Sequence, residues 1–157
     1  MSGNAKAKLG SFNHTSIPVR DLEEAKRFYS EVLGGENVRD LALGFAEVTL
    51  GGATIGLSQQ KSGWTGRDAE YPHYAFTMDP DDFYPFIKNL KAHGVPTHEP
   101  WTRHGIEALM YFRDPSGNLM EIYCPKGLKG VDKLPRSVKA GGNMTIDFAA
   151  LNYEWKG

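Results

Sequence analysis

His14, His73 and Glu121 are the residues whose types and placement could do chemistry together. Each falls in a stretch that reads as a β-strand: Asn13–Val19, Pro72–Met78 and Asn118–Cys124. The two histidines are each near the start of their strand, and the glutamate sits inside the apolar run Leu119–Tyr123. A carboxylate among apolar neighbours is costly unless a partner neutralises it, and a metal ion is the obvious one. Two neutral imidazoles and one carboxylate leave several positions on a divalent ion open to substrate. That set suits Fe(II), Mn(II), Zn(II) or Ni(II) in a reactive role.

The elements that must bring these side chains together form a weak internal repeat. After the His14 strand, Leu22, Ala25, Phe28, Tyr29, Val32 and Leu33 fall on one face of a predicted helix over 21–33. Asp21 followed by Glu24 is a capping-box-like start, and Gly34-Gly35 a stop. Three strands follow at 36–40, 44–50 and 53–58, the last two joined by Gly51-Gly52. The same order returns 59 residues on with His73, then a helix from Asp79-Pro80 to about His93, then strands at 109–113 and 118–124 around the turn Asp114-Pro115-Ser116-Gly117. Alignment of the last strands sets Gly56 opposite Glu121, so the first copy lacks a carboxylate; its glycine is equally readable as relief of strand packing.

The expected fold is therefore α+β, two tandem β-α-β-β-β modules forming a cupped mixed sheet around a metal site. One module exposes a hydrophobic sheet face that it cannot bury alone. Residues 1–10 form an N-terminal arm, 11–125 the domain (modules about 11–59 and 71–125, with a polar linker between), and 126–157 a C-terminal extension. That extension ends in Ile146, Phe148, Leu151, Tyr153 and Trp155, enough apolar surface to dock on the sheet or on a partner subunit. Lys126, Lys129, Lys133 and Lys139 read as a solvated face.

Composition bounds the partners. In 157 residues, 18 Lys+Arg balance 19 Asp+Glu, which supplies no basic footprint for nucleic acid or an anionic membrane. No apolar run reaches the roughly 18 residues of a membrane span. The single cysteine, Cys124, excludes an internal disulfide and a thiolate zinc cluster and reads as a small packed side chain. A cytoplasmic homodimer is the expected setting. Trp64 and Trp101 could stack on a ligand ring or simply pack in loops.

The double module, with His14, His73 and the run Tyr111-Phe112-Arg113-Asp114-Pro115-Ser116-Gly117-Asn118-Leu119-Met120-Glu121, resembles the vicinal oxygen chelate superfamily. The resemblance covers about residues 11–125. That superfamily holds glyoxalase I, fosfomycin-resistance thiol transferases, epimerases, extradiol dioxygenases and metal-free binding proteins, so the fold alone does not choose the reaction. The spacing from Thr102-Arg103-His104 through Met110-Tyr111, Asp114-Pro115 and Gly117 to Glu121 resembles the type I extradiol signature. By that resemblance His14, His73 and Glu121 hold Fe(II), His104 is a catalytic acid/base and Tyr111 a catalytic hydrogen-bond donor. A catechol chelating iron must lose protons, and a histidine can accept one near pH 7.

The leading expectation is thus an Fe(II)-dependent extradiol-type dioxygenase acting on a small aromatic substrate with O2. The alternative is a redox-neutral metal-dependent thiol transferase, lyase or isomerase using Mn(II), Zn(II) or Ni(II). Tyr71-Pro72-His73-Tyr74-Ala75-Phe76-Thr77 also resembles the fosfomycin thiol transferases, but their serine-bearing cation loop is here Gly105-Ile106-Glu107-Ala108-Leu109, without serine. A metal-free ligand-sequestering protein is the third reading.

Overall fold

The fold is taken from a computed structural model that describes residues 7–60 and 70–157. The first module runs β1 (His14–Val19), α1 (Leu22–Arg27), β2 (Glu36–Ala42), β3 (Phe45–Leu50) and β4 (Ala53–Gln59). Helix α1 starts where Asp21 leaves extended backbone and its carboxylate accepts the Glu24 N–H at 2.8 Å. The helix continues as one wider turn over Phe28–Val32, closed by the Leu33 N–H on the Phe28 carbonyl. Leu22, Ala25, Phe28, Tyr29 and Val32 are buried on the face that the sequence periodicity marks.

The four strands pair in the order β1-β4-β3-β2, with β1 parallel to β4 and the other pairs antiparallel. The hairpin between β3 and β4 needs positive φ at both Gly51 and Gly52, which glycine adopts without Cβ strain.

The second module runs β5 (His73–Thr77), α2 (Pro80–Ala92), β6 (Ala108–Arg113) and β7 (Leu119–Cys124), paired β5-β7-β6. Its α+β order follows the expectation, but it has one strand fewer than the first module. The segment that would mirror β2 carries Pro96 and Pro100, which lack the N–H donors of a ladder. Only the bridge between Trp101 and Leu109 remains there. The Tyr111 N–H on this edge is instead taken by the side chain of His98, whose Nε2 lies 2.8 Å away.

Two separate sheets result rather than one continuous cup. Their back faces and helices share a single core, with Ile17, Phe28 and Leu57 from the first module and Phe83, Phe112 and Ile122 from the second. Polar ties cross the same junction. The Tyr29 hydroxyl donates to Asp114 Oδ2 at 2.9 Å, and Asn118 Nδ2 donates to the Pro18 carbonyl at 2.8 Å. Asp114 is buried, and burial pushes its carboxyl up to about 6 against the pull of donors from Asn118, Tyr29 and Ser116.

The C-terminal extension docks on the front of the second sheet. Leu151 is buried there with Trp101, Leu109, Tyr111 and Leu119, and Met144, Ile146 and Phe148 pack around them. Arg113, fully buried, anchors this cover by donating to the Phe148 carbonyl at 3.2 and 3.3 Å. The Tyr153 hydroxyl in turn donates to the Arg113 carbonyl at 2.9 Å. Between 136 and 144 the extension folds back on itself so closely that a Cβ on Gly142 would collide with the Arg136 backbone. Further on, Trp155 meets the edge of Phe28 in the main core.

Candidate active site

Side chains alternate across a strand, and register decides which of them meet. In the second sheet Glu121 on β7 lies between Ala75 of β5 and Tyr111 of β6. His73, two residues before Ala75, shares that face. The first sheet repeats the arrangement with Gly56 opposite Ser16, two residues after His14. The expected equivalence of His14 with His73, and of Gly56 with Glu121, is therefore met in register. A Cβ on Gly56 would sit 2.6 Å from Ser16 Oγ and 3.1 Å from the Phe45 ring, so any side chain there must displace its neighbours.

His73 and Glu121 converge. Nε2 of the histidine lies 3.0 Å from Oε2 of the glutamate, whose side chain is only 3% exposed. The other ring nitrogen, Nδ1, is 2.9 Å from the Glu70 carbonyl. A carbonyl only accepts, so Nδ1 carries a proton and Nε2 is the nitrogen turned on the carboxylate. Two acceptors at 3.0 Å need either a proton shared between them or a metal ion. The backbone contact at Nδ1 is the kind of support that orients a metal-binding imidazole. The donor set thus fits a divalent ion. Burial raises the Glu121 carboxyl, opposed by the charges of His73 and Arg103.

The rings around this pair fix it further. Tyr71 stacks on His73 with centroids 5.3 Å apart, and Tyr111 meets the same imidazole edge-on at 5.3 Å. Burial first, and the Glu121 charge second, push the Tyr111 hydroxyl well above the usual phenol range, so it stays a neutral donor. A cavity of about 230 Å³ opens beside the pair, walled by Tyr71, Tyr111, Arg103, His104 and Lys139. His104 is exposed at its rim. Its loop is held by Glu107, whose Oε1 accepts the N–H groups of Arg103 and His104 at 2.6 and 3.1 Å. Burial works to raise the Glu107 carboxyl, but these backbone donors and the nearby His104 bring it below its ordinary value.

His14 stands apart from this cluster. It is exposed on β1, an end strand of the other sheet, with Nδ1 2.6 Å from Asn13 Oδ1. Among the described residues of one chain no three metal-ligating side chains meet. Of the five site residues expected from sequence, the structure brings His73, Tyr111 and His104 to one pocket, sets Glu121 against His73 beside it, and leaves His14 on a separate face.

Three contributors went unread in the sequence. Lys139 is exposed, as expected, but it also pairs with Glu70 and lies over the Tyr71 ring, 5.3 Å from its centroid. Glu70, at the end of the expected linker, supplies both that carboxylate and the carbonyl on His73. His98 holds the Tyr111 backbone through its neutral tautomer: Nδ1–H donates to the Glu99 carbonyl, leaving Nε2 to accept, and burial keeps the ring below its ordinary pKa. None of the three has a motif; each acts through a contact with a distant segment. Cys124 is buried, as its isolation suggests, and Trp64 lies outside the described residues.

Comparison with known proteins corrects the expected chemistry. The glutathione transferase FosA of Serratia marcescens is 32% identical over 118 residues, covering 73% of this chain and 81% of that protein. The metallothiol transferase FosB of Staphylococcus epidermidis is 31% identical over 121 residues, covering 74% and 82%. The fold matches the fosfomycin resistance protein FosX of Listeria monocytogenes with a TM-score of 0.67 at 21% identity, over 76% of this chain and 94% of the other. A dioxygenase that cleaves an aromatic substrate with Fe(II) and O2 is not what these relatives are. The extradiol-like spacing from Thr102 to Glu121 has a local explanation instead. Thr102 Oγ1 accepts the Gly105 N–H at 2.8 Å and Glu107 holds the rest of the turn, so these residues build the loop. No helix among the described residues is long and apolar enough to cross a membrane. Residues 11–122 match the Glyoxalase/Bleomycin resistance protein/Dioxygenase superfamily, and the chain belongs to it as a homologue of fosfomycin resistance proteins.

Proposed function

We propose that this chain is a metal-dependent enzyme that adds a thiol to a small strained electrophile bearing an oxyanion, fosfomycin being the model substrate. The observation that carries this reading is the buried convergence of His73 Nε2 and Glu121 Oε2 beside a cavity walled by Arg103 and Lys139. The transferase names of FosA and FosB supply the reaction class. His73 and Glu121 would hold a divalent ion, and Mn(II) is the ion in a FosX structure. When bound, that ion supplies Lewis-acid polarisation of a substrate oxygen.

His14 would complete the site from a second copy. β1 and β5 are each at the end of their sheet, so each has an unpaired edge among the described residues. Pairing β1 of one chain against β5 of another brings the two equivalent histidines to one seam and covers both edges. Homodimerisation would then be a requirement of the site.

The remaining roles follow from placement. Arg103 and Lys139 hold the oxyanion at the cavity wall. The thiol sulfur forms a bond to a ring carbon, the carbon–oxygen bond of the epoxide breaks, and the thiol proton ends on the freed oxygen. His104, exposed at the rim, carries that proton. The neutral Tyr111 hydroxyl donates a hydrogen bond to the oxygen as it gains charge.

The test is mass spectrometry of fosfomycin incubated with the Mn(II)-loaded protein, with glutathione, with cysteine, or with water alone. The expected product is a thiol adduct, formed equally without O2 and lost in His73→Ala. Conversion to the diol alone would reassign the nucleophile to water. An intact substrate under every condition would refute the reading.

A further inference from the structure

The C-terminal extension contributes more than a cover. A second cavity of about 210 Å³ adjoins the one beside His73, and the two share Glu70, Trp101, Ser137 and Lys139 as walls. Beyond that shared wall the second cavity is lined by Val138, Met144, Thr145, Ile146 and Phe148, all from the extension and all but Thr145 apolar. These residues lie outside the segment 11–122 that matches the superfamily.

Two polar atoms on the shared wall are left over. Trp101 Nε1 and Ser137 Oγ are buried, and among the described residues neither has a hydrogen-bond partner. The side chains are themselves nearly inaccessible, at 5% and 8% exposure. An indole N–H can only donate, and leaving it buried without an acceptor is unfavourable. An acceptor oxygen of a molecule bound against this wall would offer either group the partner it lacks. The apolar surface behind them would take whatever that oxygen is attached to, while Arg103 stands on the side toward His73 and Lys139 on the shared wall.

We infer that the extension builds a subsite for an apolar or aromatic arm of the electrophilic substrate, joined to its oxyanionic head through a hydrogen-bond acceptor that faces Trp101 Nε1 and Ser137 Oγ. The natural substrate is accordingly larger than fosfomycin, whose three carbons leave the second cavity empty. This rests on the thiol-transferase reading for the position of the head. Val138, Met144, Ile146 and Phe148 set the size of the arm, and Ser137 with Trp101 sets the place of the acceptor.

The experiment compares binding of methylphosphonate and 2-phenoxyethylphosphonate to the Mn(II)-loaded protein by titration calorimetry. Mn(II) affinity is measured separately from the spin-resonance signal of the free ion. The phenoxyethyl compound is expected to bind more than fivefold tighter. Ile146→Trp, which fills the second cavity, should bring the two within twofold while leaving methylphosphonate and Mn(II) binding unchanged. Val138→Trp, at a 57% exposed position on the same wall, makes the same prediction with little risk to folding. Ser137→Ala should weaken only the phenoxyethyl compound. A preference of fivefold or less, or one that survives both tryptophan variants, would overturn the subsite. If Mn(II) fails to bind, the metal reading falls by itself, and the same titrations on metal-free protein still decide the subsite by whether the preference exists and is lost on filling.

Discussion

The two sheets have the same strand order around a parallel β1/β4 or β5/β7 pair, yet their front faces differ in chemistry. The first presents His14, Ser16 and Gly56, with His14 exposed. The second presents His73, Glu121 and Tyr111, largely enclosed by the extension and by Trp101. One carboxylate and one covering segment separate the two faces. Register alone places the histidines; what surrounds the position two residues on decides whether a ligand pair forms. At Gly56 the Ser16 hydroxyl and the Phe45 ring occupy that space, whereas Ala75 and the edge-on Tyr111 leave it to Glu121.

The largest way to break this asymmetry is Glu121→Gln. It removes the only carboxylate on His73 among the described residues, and Mn(II) affinity should fall by more than the roughly 10–100-fold typical of losing an outer partner of a metal ligand. Thiol transfer should be lost with it, while the circular-dichroism spectrum stays unchanged. Retained Mn(II) affinity would remove Glu121 from the site.

The junction between the modules carries the next effect. Asp114 has a folded-state pKa of about 6, raised above its ordinary value by burial. The folded protein therefore holds this proton more tightly than the unfolded chain. Its contribution is fully present below about pH 4 and is lost as pH rises through about 6, a change on the order of 3 kcal/mol. Asp114→Asn should flatten the fall in stability between those pH values, read by denaturant titration at each pH. An unchanged slope would assign the dependence elsewhere.

Gly56→Glu attempts to give the first sheet the second sheet's carboxylate. The Cβ contacts with Ser16 and Phe45 predict a loss of about 1–3 kcal/mol, measurable as a lower Tm, with no gain of a metal site. Ser16→Ala in the same chain should restore part of it. The smallest effect belongs to His98→Ala, which frees the Tyr111 N–H at the strand edge and should cost about 1 kcal/mol. Faster hydrogen exchange at that amide is the direct check.

Much of this fold is legible in local pattern. The helix face of α1, the Asp21 cap, the Gly51-Gly52 hairpin and the Asp114–Gly117 turn are set by neighbours in sequence, and the repeat shows which histidines correspond. What escaped depends on distant contacts. Pro96 and Pro100 remove a strand, but that His98 replaces it at the edge is visible only once Tyr111 lies beside it. Lys139 is one of several surface lysines, and its pairing with Glu70 is visible only once the buried Arg113 pins the extension across the sheet. The reaction class escaped for a related reason. Thr102 falls in an extradiol-like spacing while its hydroxyl, with the Glu107 carboxylate, serves the turn itself.

The central claim is a metal site built on His73 and Glu121 of one chain and completed by His14 of another. It is tested most directly by Mn(II) binding in His14→Ala, in Glu121→Gln, and in a mixture of the two refolded together. The account predicts that neither variant binds Mn(II) as the unmodified protein does and that mixing restores binding, because each mixed pair contains one intact set of ligands. Undiminished binding by the Glu121→Gln protein, or a mixture no better than its parts, would contradict it.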